Sequence, residues 1–332
     1  MLVGCSDALE QTTAAGDIVV SLNTQSGNLT LVTVEGHNVT FVPVAPSGAT
    51  LGGLATLGTL VAASGGDSAA LTVFDFTNGA PPTDTTWRFP EAAAASGVAL
   101  GADSIAWIAN PTRNAVTRLN IGTGGRTSVP VGVFPQAVVV ANATVYVANS
   151  NLVGGVPAGP SWLTVLSASG APAPVDSIPL SGTNADQLTL GADGFLYVVD
   201  AGTPGAGDGK LSIVDTSLKT EAAVVNGLGE SPGGAVYHPT GRLLVASRTA
   251  GILEVNTSTR TLVRGPGSGI KPEGAGVAAL ALDEAGRVYA FDQGDCTGPG
   301  TLHILEAPPS YEEFTTLPVG VCPSAAVTLL VP

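Results

Sequence analysis

The residues best suited to acid–base or metal chemistry in this chain are its three histidines, His37, His238 and His303. Histidine titrates near neutral pH and is the commonest metal ligand, so a catalytic or metal centre would be expected to use at least one of them. The sequence contains no HExxH motif, no closely spaced cysteine pair and no apparent Ser/His/Asp arrangement. We therefore predict that the histidines do not converge on one site and that the protein has no resident cofactor.

A second set of candidate residues is small and polar, and each member ends a short β-branched run. The set is Asn23, Ser64, Asn110, Asn149, Asp200, Ser247 and Asp292. Side chains of these types often cap their own turns by bonding nearby backbone groups. The alternative interpretation is a binding rim. Four acidic residues are expected near the same edge: Asp186, Glu230, Glu273 and Asp295. Their oxygens would suit Ca²⁺, although the spacing is not specific for it.

Three cysteines offer chemistry of another kind. Cys5 ends the sequence LVGC and precedes the polar stretch SDALEQTTAAGD. This arrangement is similar to a bacterial lipoprotein box, in which the cysteine becomes the lipid-bearing N-terminus. A chance LVGC near the start is the alternative. Cys296 and Cys322 are far from Cys5, and they form either a disulfide or two free buried thiols, depending on where the fold places them.

The elements that must position these residues recur at a fixed period. Seven β-branched runs begin at Ile18, Thr59, Ile105, Thr144, Leu196, Leu243 and Val288. Their starts are 39–52 residues apart, which matches the length of a four-stranded propeller blade, roughly 40–50 residues. Each run is followed by a second strand and preceded by a strand rich in Ala and Gly. Small residues are expected where seven inner strands crowd around a channel.

The two ends of the chain complete the ring. The first repeat lacks an inner strand, and the last segment, CPSAAVTLLVP from Cys322, is an inner strand without a blade. Pairing them would hide two sheet edges that otherwise invite aggregation. The sequence thus predicts an all-β, seven-bladed β-propeller of four-stranded antiparallel blades over residues 17–332. Residues 1–16 are expected to hold the lipobox remnant and a polar tether.

This architecture brings Cys296 and Cys322 to one face. Cys296 lies in the loop between the second and third strands of the seventh blade, and Cys322 lies where that blade crosses to the closing strand. We expect a disulfide that closes the ring and indicates an oxidising compartment. Cys5 is then the unpaired cysteine, which favours its assignment as the lipid anchor.

One stretch carries a family resemblance. The segment NAVTRLNIGTGGRTSVPVGVFPQAVVVANATVYVANSN, and more weakly FLYVVDAG with KLSIVDTS, resembles the YVTN-type propeller repeat. The resemblance implies the propeller fold. The family includes bacterial and archaeal surface proteins as well as lactonase-like enzymes, so the resemblance implies either class of function.

The charge of the chain restricts its partners. The net charge is −14, with 12 basic and 26 acidic residues, so we expect no nucleic-acid binding and no electrostatic attachment to anionic membranes. Attachment to a membrane would instead use a lipid on Cys5. Only 11% of residues are charged and the mean hydropathy is +0.36, which predicts exposed apolar surface and contacts with other molecules.

Two classes of function follow. The favoured one is a lipid-anchored, non-enzymatic propeller on the outer surface of the bacterial envelope, or in the extracellular space. It would bind another envelope protein or assemble with copies of itself. The long loop from Asn149 to Trp162 either covers its own blade or forms a contact surface. The alternative is a lactonase- or lyase-like enzyme that uses carboxylates, Arg113 and Arg248 at the channel mouth.

Overall fold

Seven four-stranded antiparallel sheets form the fold in a computed structural model that describes residues 16–44, 52–89, 94–102, 104–170, 172–274 and 276–331. The sheets are the blades of a seven-bladed β-propeller, as the sequence predicts. The predictions for residues 1–15, including those for Cys5 and the tether, lie outside the described residues. No helix among the described segments has the length and apolar character needed to cross a membrane.

Within each blade the strands follow one another from the channel outwards. Blade 1 has β30 (Pro323–Val331), β1 (Gly16–Asn23), β2 (Asn28–Thr33) and β3 (Val39–Pro43). Blade 2 has β4 (Leu54–Leu57), β5 (Leu60–Ser64), β6 (Ala70–Asp75) and β7 (Thr83–Arg88). Blade 3 has β8 (Val98–Gly101), β9 (Ile105–Asn110), β10 (Ala115–Asn120) and β11 (Arg126–Pro130).

Blade 4 has β12 (Pro135–Ala141), β13 (Thr144–Asn149), β16 (Trp162–Ser167) and β17 (Pro174–Pro179), with a small hairpin of β14 (Leu152–Val153) and β15 (Val156–Pro157). Blade 5 has β18 (Ala185–Leu190), β19 (Phe195–Asp200), β20 (Gly209–Asp215) and β21 (Thr220–Gly229). Blade 6 has β22 (Pro232–His238), β23 (Arg242–Ser247), β24 (Gly251–Asn256) and β25 (Thr261–Arg264). Blade 7 has β26 (Ala279–Leu282), β27 (Val288–Asp292), β28 (Pro299–Leu305) and β29 (Glu313–Val321). Short 3₁₀ turns cover Pro111–Arg113 and Pro272–Gly274.

The core lies between neighbouring blades. Val19 of β1 packs toward blade 7 with Tyr289, whereas Val20 packs toward blade 2 with Val61 and Phe74. Because both faces of each sheet are covered, the second strands read as continuous apolar runs instead of strictly alternating ones. This two-sided burial explains why the second strands form the clearest repeat in the sequence.

Near the upper ends of the inner strands, the backbones of neighbouring blades approach each other closely. A Cβ atom on Gly97 would lie 2.4 Å from the backbone oxygen of Gln136 on the next inner strand. Since that separation is shorter than any ordinary carbon–oxygen contact, glycine is required there. The predicted crowding is therefore found at this position, whereas Leu188, Leu190 and Leu280 have room beside the channel further along the inner strands.

Closure of the ring matches the prediction in both of its parts. Strand β1 pairs antiparallel with β30, with Ile18 opposite Leu329 and Val20 opposite Val327. Cys296 and Cys322 form a disulfide with a Cα–Cα distance of 4.7 Å. The disulfide connects the loop between β27 and β28 to the residue that precedes the closing strand.

A candidate binding site at the channel mouth

Two faces of the ring need names. We call upper the face at which the second strand of each blade ends and the inner strand of each blade begins. The polar residues predicted to form a binding rim all lie at this face because they end the second strands. Six of the seven are at most 1% exposed: Asn23, Ser64, Asn110, Asn149, Asp200 and Ser247. Asp292 is half-buried.

The buried side chains bond within the ring. Asn149 donates from Nδ2 to Thr164 Oγ1 at 2.9 Å, and its Oδ1 accepts the backbone N–H of Gly132 at 2.9 Å. Asn110 donates to Thr117 Oγ1 at 2.9 Å, and Ser247 Oγ accepts the backbone N–H of Ala250. Asn23 likewise donates to Thr30 Oγ1. Ser64 accepts from the N–H of Gly53, Asp200 from Ser212 Oγ, and Asp292 from the N–H of Gly294.

These contacts correct the interpretation as a binding rim. A ligand in the channel mouth does not reach a side chain that is buried beneath it, so at least the six buried residues are not a contact surface. The alternative, in which they satisfy polar groups of their own blade and its neighbour, accounts for the contacts. These six residues therefore do not offer an exposed ring of oxygen atoms to Ca²⁺.

The surface that is open to a ligand lies one step further in, at the first residues of the inner strands. A cavity of about 180 Å³ at the upper end of the channel is lined by polar side chains from four blades. These are Gln136 of β12, Asp186 and Gln187 of β18, Ser96 before β8 and Ser324 of β30. An adjoining cavity of about 210 Å³ adds Asn184 and Arg248. We call these residues the channel mouth.

Asp186 is the acidic group of the channel mouth. Its side chain is half-buried at the wall of the channel, and the loss of water around it raises the pKa of its carboxyl above the ordinary value. A hydrogen bond with Gln187 and the positive charge of Arg248 act in the opposite direction. Asp186 thus combines a desolvated carboxyl with a nearby guanidinium, an arrangement that can bind polar ligands or exchange a proton.

The basic group is held from the neighbouring blade. Arg248 follows Ser247 at the end of β23, and its Nε donates to Oε1 of Gln293 in blade 7 at 3.0 Å. Gln136 Nε2 donates to Oδ1 of Asn184 at 3.3 Å, which joins blades 4 and 5. Hydrogen bonds between blades therefore fix the orientation of polar side chains that point at the cavity.

The other acidic and basic residues predicted for the channel mouth do not line its cavities. Glu230, Glu273 and Asp295 are exposed but are not among the residues that line either mouth cavity. Arg113, in the 3₁₀ turn after Asn110, is also absent from both linings. The expectation of shared acidity at the mouth is thus correct only for Asp186.

Below the mouth, the channel becomes more apolar. A cavity of about 660 Å³ runs along the inner strands and is lined by residues such as Leu188, Leu190, Ala235 and Leu280, with Thr189 and Thr328 among its few hydroxyls. Apolar side chains therefore take a larger share of the wall here than at the mouth. A ligand would meet mainly polar groups at the upper face and a mixture of polar and apolar groups beneath them.

The histidines are scattered, as predicted. His37 lies in the turn between β2 and β3, where its ring contacts that of Phe314 in a tilted arrangement with centroids 5.4 Å apart. His238 ends β22, and His303 lies on β28. None of the three is among the described residues that line the channel cavities.

Comparison with known proteins supports the fold. No family model matches the chain, and no curated protein matches it significantly. Among solved structures, hydrazine synthase from Kuenenia stuttgartiensis aligns with a TM-score of 0.68 at 14% identity, covering 82% of this chain and 88% of that chain. Apo AztD from Citrobacter koseri aligns with a TM-score of 0.61 at 11% identity, covering 96% and 99%.

A third similar structure is a lyase. Catalytically inactive virginiamycin B lyase from Staphylococcus aureus, a histidine-to-alanine variant solved with quinupristin, aligns with a TM-score of 0.62 at 12% identity. The alignment covers 84% of this chain and 92% of that chain. At these identities the likeness shows the propeller fold alone, which is shared by proteins of different function.

Proposed function

We propose that this protein is a non-enzymatic binding propeller of the bacterial cell envelope that takes its ligand or partner at the channel mouth. The observation that carries this proposal is the polar cavity formed by Gln136, Asp186, Gln187 and Ser324 from three blades. Concave sites with a few convergent polar groups are the usual form of ligand sites. The ring of blades gives these groups fixed positions.

The proposed location is supported by the disulfide. Disulfides persist in oxidising compartments outside the cytoplasm, and the bond between Cys296 and Cys322 fits such a compartment. The proposed anchor is a lipid on Cys5, for which the LVGC sequence and the following polar stretch are the support. In this arrangement the tether holds the propeller near the membrane while the upper face remains available.

The chemistry of the mouth defines the class of ligand. Side-chain amides, a serine hydroxyl and a carboxyl with a raised pKa both donate and accept hydrogen bonds, and Arg248 adds one positive charge. Such a site suits a small polar molecule or a polar peptide segment with mixed donors and acceptors. A polyanion is disfavoured by the net charge of −14.

The binding proposal is tested by a thermal-shift and calorimetric screen of saccharides, amino acids and short peptides. A ligand found with the wild-type protein should lose at least about tenfold in affinity in the variants Gln136→Ala and Asp186→Ala, because each removes a hydrogen-bonding group from the cavity. Glu230→Gln, which removes an exposed charge outside the cavity, is the matched control. A ligand whose affinity is the same in all four proteins would place binding elsewhere and contradict the proposal.

A lactonase- or lyase-like activity is the second candidate, and one observation favours it. Asp186 has a raised pKa beside Arg248, which is a pattern found at general acids. Against it, the lyase variant in which alanine replaces a histidine is catalytically inactive. No histidine of this chain is among the described residues that line the channel. Incubation of the protein with quinupristin and with simple lactones, followed by mass spectrometry, distinguishes the candidates. Turnover that is lost in Asp186→Asn would establish the enzyme, and absence of turnover would favour the binding protein.

A further inference from the structure

A cluster of metal-ligating side chains lies away from the channel mouth, between blades 6 and 7. His303 projects from β28, Glu313 begins β29, and Glu273 belongs to the crossover that connects β25 to β26. His303 Nδ1 is 3.0 Å from Glu313 Oε1. One donor atom from each of the three residues lies within 4.8 Å of the others.

The histidine is the buried member of the cluster. Its side chain is 2% exposed, whereas that of Glu313 is 26% exposed and Glu273 is open to solvent. The second ring nitrogen, Nε2, is also buried and has no hydrogen-bond partner in the described part of the chain. Since Nδ1 is the ring nitrogen that contacts Glu313, it is the one placed to share an ion with the carboxylates.

The charge of the cluster points to a cation. Among the described residues, no ion pair joins Glu273 or Glu313 to a lysine or arginine. Two carboxylates held this close repel each other, and one imidazole balances at most one of them. A divalent cation would neutralise both.

A neighbouring carboxylate shows the contrast. Glu254 is buried between the same two blades and lies 3.1 Å from Arg242 Nε and 3.3 Å from Arg264 Nε. It also accepts a hydrogen bond of 3.1 Å from Tyr311 Oη, two residues before Glu313. The fold thus supplies positive charge to one buried glutamate in this region and leaves the adjacent pair without it.

We propose that Glu273, His303 and Glu313 bind a divalent first-row transition-metal ion of the Zn²⁺ class. An imidazole nitrogen with two carboxylates suits these ions, whereas Ca²⁺ and Mg²⁺ prefer ligand sets made of oxygen. Three protein ligands leave at least one coordination position for water. The bound ion would connect the crossover to the outer strands of blade 7 and stabilise that junction.

The test is calorimetric titration of the full-length, untagged, metal-stripped protein with Zn²⁺, with Ca²⁺ as the comparison ion. We expect one Zn²⁺ per chain and a rise in Tm that increases with Zn²⁺ concentration, because an ion that binds only the folded state stabilises it. Zinc-edge X-ray absorption should show one imidazole among otherwise oxygen ligands. Ca²⁺ should not compete at equal concentration.

Three carboxamide variants separate the site from general attraction to an acidic protein. Glu273→Gln and Glu313→Gln each remove a proposed ligand and should weaken Zn²⁺ binding by at least about tenfold. Glu312→Gln removes the same charge from the exposed neighbour of Glu313 and should bind Zn²⁺ as the wild type does. Glu273 is exposed, so its replacement tests the site without disturbing the core.

The proposal is overturned if the wild-type protein does not bind Zn²⁺ at concentrations that saturate ordinary three-ligand sites. It is also overturned if Glu273→Gln or Glu313→Gln binds Zn²⁺ as tightly as Glu312→Gln. Binding in which all three variants lose the same amount would indicate diffuse electrostatic attraction, and that result also excludes the site.

Discussion

Asp200 shows how one residue type changes the properties of a repeated position. The equivalent residues Asn110 and Asn149 donate a hydrogen bond from Nδ2 to a threonine hydroxyl of the next strand. In blade 5 the direction is reversed, because Ser212 Oγ donates to Asp200 Oδ2 at 2.7 Å. Asp200 Oδ1 is buried without a partner among the described residues. An ionised carboxylate is therefore poorly solvated at this position.

This burial predicts that stability falls as the pH rises. Desolvation raises the pKa of Asp200 to about 7, against the opposing hydrogen bond from Ser212. The folded state then keeps the Asp200 proton at pH values where the unfolded state has lost it. The stabilisation that results is fully present below about pH 4 and is lost as the pH rises through about 7. The loss should be roughly 2–4 kcal/mol of unfolding free energy.

Asp200→Asn removes this dependence and reproduces the side chain found in blades 3 and 4. We expect the variant to match the wild type near pH 4 and to be more stable at pH 8, as measured by urea unfolding across that range. Asp84→Asn, at an exposed position of β7, is the control for loss of one negative charge. Equal pH dependence in wild type and Asp200→Asn would show that Asp200 is not the responsible group.

Close packing between elements is specified by small residues at particular positions. Gly132, in the connection between β11 and β12, donates its N–H to Asn149, and Trp162 at the start of β16 lies directly over it. A Cβ atom at Gly132 would be 2.4 Å from Trp162 Cζ2 and 2.5 Å from Asn149 Cγ. The long loop from Asn149 to Trp162 thus ends in packing at Trp162, while its hairpin exposes Val153 and Val156. Trp162 thus covers its own blade, and a contact surface at the hairpin stays a prediction.

Gly132→Ala should lower the free energy of unfolding by roughly 1–3 kcal/mol, because the added methyl group forces the indole and the Asn149 amide to move. Chemical denaturation measures this change. Gly267→Ala is the matched control, since a Cβ there meets no atom within 4 Å. If the two variants were equally stable, the close approach at Gly132 would not be a constraint.

The disulfide acts on the elements that close the ring. It links residues that are 26 positions apart, and restriction of the unfolded chain by a loop of this length contributes about 3.5 kcal/mol in the chain-entropy model. Cys296→Ser should therefore lower Tm by several degrees under oxidising conditions. Reduction of the wild-type protein should give the same loss, and reduction of the variant should add nothing. An unchanged Tm in the variant would show that pairing of β1 with β30 closes the ring without help.

At the scale of the whole molecule, the surface combines acidity with exposed apolar side chains. Outward-facing apolar residues lie on the outer strands and on the β14–β15 hairpin, among them Phe41, Val153, Val156, Val175, Val263 and Phe314. Contacts between such surfaces are favourable by about 25 cal/mol per Å² of buried apolar area, whereas the net charge of −14 opposes them. Salt screens that repulsion and leaves the apolar contact almost unchanged.

We therefore predict self-association that increases with protein and salt concentration. Analytical ultracentrifugation of the Cys5→Ser protein measures it without a lipid, and a Val153→Ser, Val156→Ser double variant should associate less. A monomer at every concentration and salt condition would contradict a self-assembling coat, sheet or filament. The binding of other molecules would then be the remaining non-enzymatic function.

The proposed lipid on Cys5 would attach the whole protein to a membrane. Mass spectrometry of the native N-terminal peptide should find cleavage before Cys5 and a diacyl or triacyl group on that residue. Such tethering would concentrate copies at the membrane and strengthen weak contacts between them. An unmodified peptide beginning at Met1 would exclude the anchor.

The sequence by itself determined the fold to a useful depth. The seven apolar runs predicted second strands that begin within two residues of the observed ones, because sheets covered on both faces need uninterrupted apolar strands. Topology then placed Cys296 beside Cys322. These features depend on periodicity and chain connectivity, which a sequence displays directly.

The site was decided by tertiary structure. The small polar residues at the strand ends look alike in sequence whether they face solvent or lie beneath the next turn, and only packing showed that six of them are buried. Gln136 and Ser324 were missed because each is an isolated polar residue near the start of an inner strand, while Asp186 was recognised only through its charge. Their convergence depends on the closure of seven blades around one axis, which brings residues nearly 190 positions apart into one cavity. No local pattern encodes that distance.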